Sequence, residues 1–213
     1  MQYERVKIMS SRTVITIARQ YGSGGREIGE MLAKKLNVPY YDKELIALAA
    51  KKSGLSEEVF RQADERATSS LLYSLVMGTY GYGGGVAGMN DMPINDKLFL
   101  IQADIIRKAA EEGACVIVGR CADYILKDNP DAFHIFVHAA PAFRADRIVR
   151  LYGESEKKPE ERLDDKDTRR KVNYKHFTGR EWGRCQNYHL SLDSGIIGIQ
   201  RCVDIISELA KTL

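Results

Sequence analysis

The stretch Thr13-Val14-Ile15-Thr16-Ile17-Ala18 is followed directly by Arg19-Gln20-Tyr21-Gly22-Ser23-Gly24-Gly25-Arg26-Glu27-Ile28-Gly29. The β-branched residues of the first part predict a short buried strand. After the glycines, apolar residues recur at helical spacing and predict an amphipathic helix that ends near Leu36. A strand, a glycine turn and a helix N-terminus form a favourable site for phosphate, because backbone N–H groups converge there and the helix dipole adds about half a positive charge.

The glycine turn departs from the usual phosphate-loop pattern, in which Gly and four further residues precede Gly-Lys-Ser/Thr. When the last Gly of the pattern is set on Gly24, Arg19 replaces the first Gly, and Gly25 replaces the lysine. Arg26 then stands where a hydroxyl would hold Mg²⁺. Arg19 and Arg26 could contact phosphate oxygens in place of the missing ammonium. A helix-starting turn with surface arginines is the alternative interpretation.

Composition indicates an ordinary globular protein. The 213 residues are 44% hydrophobic and 29% charged, with a net charge of +3. This charge gives no reason to expect nucleic-acid binding, and no apolar run has the length of a membrane span. None of the four cysteines forms a CxxC pair. We therefore expect a cytoplasmic protein with free, reduced thiols.

Predicted strands and helices alternate along the chain, which is typical of a parallel sheet with helices on both faces. Ligands bind at the carboxyl ends of the strands in such sheets. We therefore expect the Gly22 turn, Asp42, Gly119-Arg120 and the end of the His138 strand to meet at one edge. The further strands are predicted at 38–41, 115–118, 133–138 and 188–192, and the further helices at 43–52, 56–67, 96–112, 122–127, 141–152 and 199–209.

Three segments are less regular. Residues 78–88 contain six glycines and predict a flexible loop, which could close over a ligand or be disordered. Residues 71–76 are mostly apolar and could belong to the core or to a homodimer interface. Residues 153–171 are densely charged and predict a solvated segment rather than core.

Three stretches resemble the cytidylate kinase-like branch of the P-loop nucleoside monophosphate kinases. They are residues 15–29, residues 115–126 and residues 165–172, and the resemblance extends from Thr13 to Leu213. It implies a single domain over residues 1–213 with a three-layer α/β fold, in which a parallel five-stranded sheet of the P-loop NTPase type has helices on both faces. It also implies a helical acceptor-binding insertion with the glycine-rich loop at 56–95 and a lid region at 153–186.

The resemblance further implies ATP and Mg²⁺ as cofactors and a set of site residues, with Mg²⁺ held mainly by phosphates and water. The donor phosphates would bind Gly22, Ser23, Gly24 and Gly25 through backbone N–H groups, together with Arg19 and Arg26. The acceptor would contact Asp42, Arg120, Asp123, Asp167 and Arg170. Catalytic charge would come from Arg26, Arg120, Arg162 and Arg169, with Lys166 as a further lid cation.

The sequence also differs from the family pattern at charged positions. Gly25 replaces the lysine, and Cys121 replaces the Asp of Gly-Arg-Asp. Leu48 and Leu163 stand near positions where the family has arginines.

The first hypothesis is ATP-dependent phosphoryl transfer to a nucleoside monophosphate, cytidylate-like, or to a similar small acceptor, which could also be a non-nucleotide. The alternative is a catalytically weak or inactive regulatory protein that binds nucleotide or phosphate. Small-molecule nucleotides are the expected partners, without nucleic acid or membrane.

Overall fold

The computed structural model describes residues 12–42 and 93–212, without the side chains of Ile94 and Lys97. The helices predicted at 43–52 and 56–67, the apolar stretch at 71–76 and the glycine-rich loop lie outside the described residues. The chain divides into two compact units. One unit comprises residues 1–41 and 109–213, and the other comprises residues 42–108.

A five-stranded parallel sheet forms the centre of the first unit and confirms the predicted fold class. The strand order is β2-β3-β1-β4-β5, so β1 lies between β3 and β4. In the register, Val14 of β1 is opposite Cys115 on one side and Ala132 on the other. The strands are β1 (Val14–Arg19), β2 (Tyr40–Tyr41), β3 (Cys115–Val118), β4 (Ala132–His138) and β5 (Leu190–Asp193). Strand β1 includes Arg19, one residue beyond the predicted end, and this places Arg19 at the carboxyl edge.

Apolar side chains of two helices cover one face of the sheet. Ile28 and Ile206 are fully buried and belong to the same core cluster as Ile15 and Ile17 of β1. Phe136 lies on the opposite face and packs with Tyr188 and Trp182. The helices are α1 (Gly25–Leu36), α2 (Ile94–Glu112), α3 (Ala122–Ile125), α4 (Pro141–Tyr152), α5 (Pro159–Thr178), α6 (Ser194–Ile197) and α7 (Ile199–Ala210), with a 3₁₀ turn at Cys185–Asn187.

Most of residues 153–171 are exposed, as predicted for a solvated segment, but the segment is not irregular, because α5 begins at Pro159 and is 20 residues long. Its ends suit a helix: glutamates occupy the first turn, Lys175 and His176 occupy the last, and both complement the helix dipole. Leu163 and Asp167 are buried, one turn apart, within the charged sequence. The charge-rich composition therefore did not indicate this helix, which packs through a few buried residues on one side.

Candidate phosphate-binding site

The loop of residues 20–24 joins β1 to α1 at the carboxyl edge of the sheet. Gly22 and Gly24 have φ values of +79° and +81°, in the left-handed region that favours glycine. A Cβ atom on Gly22 would lie 2.8 Å from the carbonyl oxygen of Arg144. Within the loop, the Ser23 hydroxyl donates to the carbonyl oxygen of Gln20 at 2.8 Å. The loop is therefore a tight turn that packs against α4.

Two backbone donors of the loop are available to a ligand. Among residues 12–42 and 93–212, none accepts a hydrogen bond from the N–H of Gly22 or of Gly24. Gly24 is buried and caps the N-terminus of α1, where the first-turn N–H groups have no partner within the helix. Buried N–H groups are nearly always paired in proteins, and a phosphate oxygen would satisfy these. The loop could therefore accommodate a phosphate group.

A buried ion pair fixes the peptide groups on either side of Tyr21. The Tyr21 N–H donates to Oδ1 of Asp167 at 2.8 Å, and Nη1 of Arg144 donates to the Tyr21 carbonyl oxygen at 3.1 Å. The same Nη1 atom lies 2.6 Å from Oδ2 of Asp167. Both charged side chains are 9% exposed. Because α5 carries Asp167 and α4 carries Arg144, both helices are tied to the loop.

Helix α5 makes further contacts with the same loop. Arg170 donates from Nη1 to the Arg19 carbonyl oxygen and to Oδ1 of Asp167, both at 3.2 Å. Its guanidinium carbon lies 5.7 Å from the centre of the Tyr21 ring, a cation–π contact. In this structure Asp167 and Arg170, both predicted to contact the acceptor, contact the phosphate loop. Their acceptor role stays a prediction.

Residues that directly follow β4 and β5 also hold the loop. The Ser194 hydroxyl, fully buried at the start of α6, lies near the Ser23 carbonyl oxygen and 3.0 Å from that of His138. Oε1 of Gln20 accepts a hydrogen bond from the N–H of Ala139 at 3.2 Å. The loop is therefore connected to the carboxyl ends of β4 and β5, as the sequence predicts for this edge.

The end of β3 has an unusual backbone. Gly119, Arg120 and Cys121 have φ values of +79°, +62° and +55°, so three consecutive residues are left-handed. Non-glycine residues rarely adopt such values. The Gly119 N–H donates to the Ile17 carbonyl oxygen at 2.9 Å, which holds this turn beside β1. Arg120 thus lies at the edge where the phosphate loop lies.

Asp123, another predicted acceptor contact, is 5% exposed, and Oδ2 accepts the Tyr174 hydroxyl at 2.6 Å. Burial raises the pKa of Asp123 from 3.8 to about 6, and the hydrogen bond from Tyr174 opposes this rise. The contact joins α3 to α5. The Asp123 carboxylate therefore connects helices in this structure, and its role toward an acceptor stays a prediction.

Replacing Asp123 by asparagine is expected to change how stability depends on pH. Since the pKa of Asp123 is raised to about 6 in the fold, its contribution to stability is present below about pH 4 and is lost as pH rises through 6. This loss amounts to about 3 kcal/mol in the free energy of unfolding. The amide oxygen of the Asp123→Asn variant can still accept the Tyr174 hydroxyl, so the variant should gain this amount relative to wild type by pH 7. Urea unfolding between pH 4 and 7.5 measures the difference. The exposed Asp128→Asn variant is the control, and parallel curves for wild type and Asp123→Asn would contradict the expectation.

The other predicted cations have different environments. Arg26 is exposed in the first turn of α1, and Nη1 of Arg162 donates to the Gly153 carbonyl oxygen at 2.9 Å. Lys166 and Arg169 are exposed and share one side of α5 with Arg162, about 100° from its buried stripe. Asp42 is buried and belongs to the second unit. The roles assigned to these residues stay predictions.

Arg144 and Ser194 were not identified from the sequence. Arg144 lies one turn before the fully buried Ile148 on α4, so its place on the apolar side of a predicted helix was the available signal. Ser194 follows Asp193, whose carboxylate accepts N–H groups of Gly195 and Ile196 and caps α6. That capping sequence was the signal for a turn at the end of β5.

Comparison with known proteins identifies the family. The cytidylate kinase-like family matches residues 14–196, which include the phosphate loop, the turn after β3 and the whole of α5. The chain belongs to the cytidylate kinase-like family. Family membership and the fold support phosphoryl transfer as the general reaction and a kinase as the type of enzyme. Comparison with curated proteins gives no match.

Solved structures share the fold of this cytidylate kinase-like chain. An uncharacterized protein from Eubacterium ventriosum ATCC 27560 is 24% identical, with a TM-score of 0.69 over 94% of this chain and 99% of that chain. Shikimate kinase from Bacteroides thetaiotaomicron is 16% identical, with a TM-score of 0.52 over 92% and 97%. A gluconokinase from Sinorhizobium meliloti 1021 is 15% identical, with a TM-score of 0.51 over 95% and 96%.

The described residues lack a clustered metal-ligand set and a membrane-spanning helix. They contain no group of three or more His, Cys, Asp or Glu side chains that could hold a metal ion. None of the helices in the described ranges is long and apolar enough to cross a membrane. All four cysteines are free, and burial raises the pKa of Cys121 to about 12.

Proposed function

We propose that this protein transfers a phosphoryl group from ATP to a nucleoside monophosphate, cytidylate-like, or to a similar small acceptor. The observation that carries the proposal is the pair of N–H groups, on Gly22 and Gly24, that have no hydrogen-bond acceptor among the described residues at the start of α1. They lie at the carboxyl edge of a parallel sheet, where this class of fold binds ligands. Membership of the cytidylate kinase-like family supports the same reaction class.

The donor nucleotide would bind with its phosphates along residues 22–25. Ser23 and Gly25 complete the turn, and the dipole of α1 adds to the attraction for negative charge. Mg²⁺ would reach the site bound to the phosphate oxygens and water, which suits an ion that keeps several waters. Bound Mg²⁺ would neutralise charge that develops on the phosphoryl group.

Phosphoryl transfer mainly needs positive charge and alignment around the moving group. Arg19 or Arg26 would supply charge beside the donor phosphates, and Arg120 would bind the acceptor phosphate. Arg162 and Arg169 would approach from α5. The acceptor would also contact Asp42, Asp123, Asp167 and Arg170 in this proposal.

Ligand-dependent melting tests the proposal. ATP with Mg²⁺ at a hundred times its dissociation constant should stabilise the fold by about 2.7 kcal/mol, which corresponds to a rise in Tm on the order of 5–10 °C. A true acceptor should give its own shift and should cause consumption of ATP. The acceptor series should contain CMP, the other nucleoside monophosphates and non-nucleotide hydroxy compounds.

Three outcomes separate the hypotheses. Stabilisation by ATP and by a nucleoside monophosphate, together with turnover, supports the proposal. Turnover with a non-nucleotide compound alone would show that the acceptor is not a nucleoside monophosphate. Stabilisation by ATP without turnover of any acceptor would favour a regulatory nucleotide-binding protein. A cytoplasmic location and a homodimer stay predictions.

A further inference from the structure

We propose that Arg19 supplies the positive charge of the missing lysine, because positions 19 and 25 have exchanged side chains. In the usual loop, glycine stands at the first of these positions and lysine at the second. Here the cationic residue, Arg19, stands at the first position, and the glycine, Gly25, stands at the second. This inference rests on the proposed function, since the charge matters only if phosphate binds the loop.

The space beside Gly25 shows that the two positions depend on each other. A Cβ atom on Gly25 would lie 2.5 Å from Cβ and 3.0 Å from Cγ of Arg19. Carbon atoms in favourable contact are about 3.5–4.0 Å apart, so any side chain at position 25 would collide with the stem of Arg19. Gly25 itself is helical, and it needs no positive φ that would otherwise explain a glycine. Glycine at this position leaves room mainly for Arg19, and also for Cβ of Val137, which would lie 3.3 Å from the added Cβ.

A second glycine marks where the Arg19 side chain ends. A Cβ atom on Gly119 would lie 1.9 Å from Nη1 and 3.0 Å from Cζ of Arg19. The guanidinium therefore crosses from the end of β1 to the end of β3, which are neighbouring strands. It passes beside the N-terminus of α1 and stays at the carboxyl edge of the sheet. This is the edge at which the Gly22 and Gly24 N–H groups are found.

The chemistry of the side chain suits the role. Arginine keeps its charge at all ordinary pH values and presents five donors in a planar fork that matches phosphate oxygens. Arg19 is half-buried, and its carbonyl oxygen accepts a hydrogen bond from Arg170, so its backbone is fixed. Arg26, the other candidate, is exposed on the first turn of α1. The departures at positions 19 and 25 are therefore one coupled change.

The first experiment removes the charge and keeps the stem. Arg19→Met should lower kcat for ATP-dependent phosphoryl transfer about 10³-fold, since a single arginine that stabilises the transferring group is worth about 10³–10⁵. Arg19→Lys should keep part of the activity, because it retains the charge without the fork. Arg201→Met, on an exposed part of α7, is the matched control and should leave kcat unchanged. Arg19→Met with kcat within about twofold of wild type would overturn the inference, as would a loss confined to Arg26→Met.

The second experiment exchanges the side chains. Gly25→Lys alone should be inactive or melt earlier, because its stem meets Arg19. Arg19→Gly/Gly25→Lys should recover most of the melting temperature, with the 3.3 Å contact to Cβ of Val137 remaining, and should raise kcat about tenfold or more above Arg19→Met. If Gly25→Lys and Arg19→Gly/Gly25→Lys lose the same melting temperature and the same kcat, positions 19 and 25 do not depend on each other as we propose. Because an arginine-to-methionine change could affect folding, each variant's melting curve is recorded without ligand before kinetics.

The proposed function and the role of Arg19 fail in different ways. If wild type neither consumes ATP with any acceptor nor melts higher with ATP, the proposed function fails before any variant is compared. If wild type is active and Arg19→Met is equally active, only the inference about Arg19 fails.

Discussion

Asp167→Asn is expected to lower the free energy of unfolding by about 3–5 kcal/mol, because it leaves a buried guanidinium without its counter-charge. Arg144 and Asp167 are each 9% exposed, and their closest atoms are 2.6 Å apart. An asparagine oxygen in the place of Oδ1 could still accept the Tyr21 N–H and Nη1 of Arg170, but the amide N–H₂ in the place of Oδ2 would then face the Arg144 donor. Urea unfolding monitored by far-UV circular dichroism measures the loss.

Two further variants show whether the buried charge causes the loss. Asp164→Asn makes the same chemical change at an exposed position of α5 and should cost less than about 0.5 kcal/mol. Arg144→Met/Asp167→Leu replaces the pair by apolar side chains and should recover part of the stability, since such replacements are often neutral or stabilising but here leave the N–H and carbonyl oxygen of Tyr21 without these partners. A loss below about 1 kcal/mol for Asp167→Asn would show that the Arg144 charge is still compensated in the variant.

Gly22→Ala is expected to damage the phosphate loop and stability together, at about 3 kcal/mol. Alanine in the left-handed region costs about 1–2 kcal/mol, and added atoms in a packed site cost about 1–3 kcal/mol more. Here the new Cβ would meet the Arg144 carbonyl oxygen at 2.8 Å and Cγ2 of Ile148 at 3.0 Å. A backbone oxygen cannot rotate away, so the loop must shift. The Gly22 N–H would then point elsewhere, and with ATP bound as we propose, the affinity for ATP should fall at least about tenfold.

Gly179→Ala separates the conformational cost from the contact. Gly179 has a φ of +69°, and nothing lies within 4 Å of an added Cβ. It should therefore lose only about 1 kcal/mol and keep full ATP affinity. Isothermal titration with ATP and urea unfolding on both variants give the comparison. If Gly22→Ala and Gly179→Ala lower the free energy of unfolding equally, the contact of the new Cβ with α4 adds nothing to the loss.

Local signals made the centre of the fold predictable. The β-branched run of β1, the glycines after it and the helical spacing after Gly25 are contiguous, and the structure has strand, turn and α1 there. The alternation of strands with helices predicted a parallel sheet because parallel neighbours require such crossovers.

The support of the loop was not predictable, because it depends on contacts between distant residues. The hydrogen bond from the Tyr21 N–H to Asp167 joins residues 146 positions apart. Asp167 lies in a charged sequence whose composition favours solvent, and only its position one turn after Leu163 places it on the packed stripe. Spacing gives no information about whether a carboxylate meets an arginine of another helix or a ligand. The exchange between Arg19 and Gly25 likewise becomes visible only when the atoms are placed.

The attachment of α5 to Tyr21 restricts how this enzyme could enclose a nucleotide. Because a buried ion pair holds α5, this helix cannot move as a rigid body without exposing the charges of Arg144 and Asp167 to solvent. Any large excursion must then hinge ahead of Leu163, in the exposed stretch of residues 153–158 and the first turn of the helix. The same anchorage makes the loop's shape depend on a chain segment that follows it by more than a hundred residues, so the loop is complete only after α5 has folded against it.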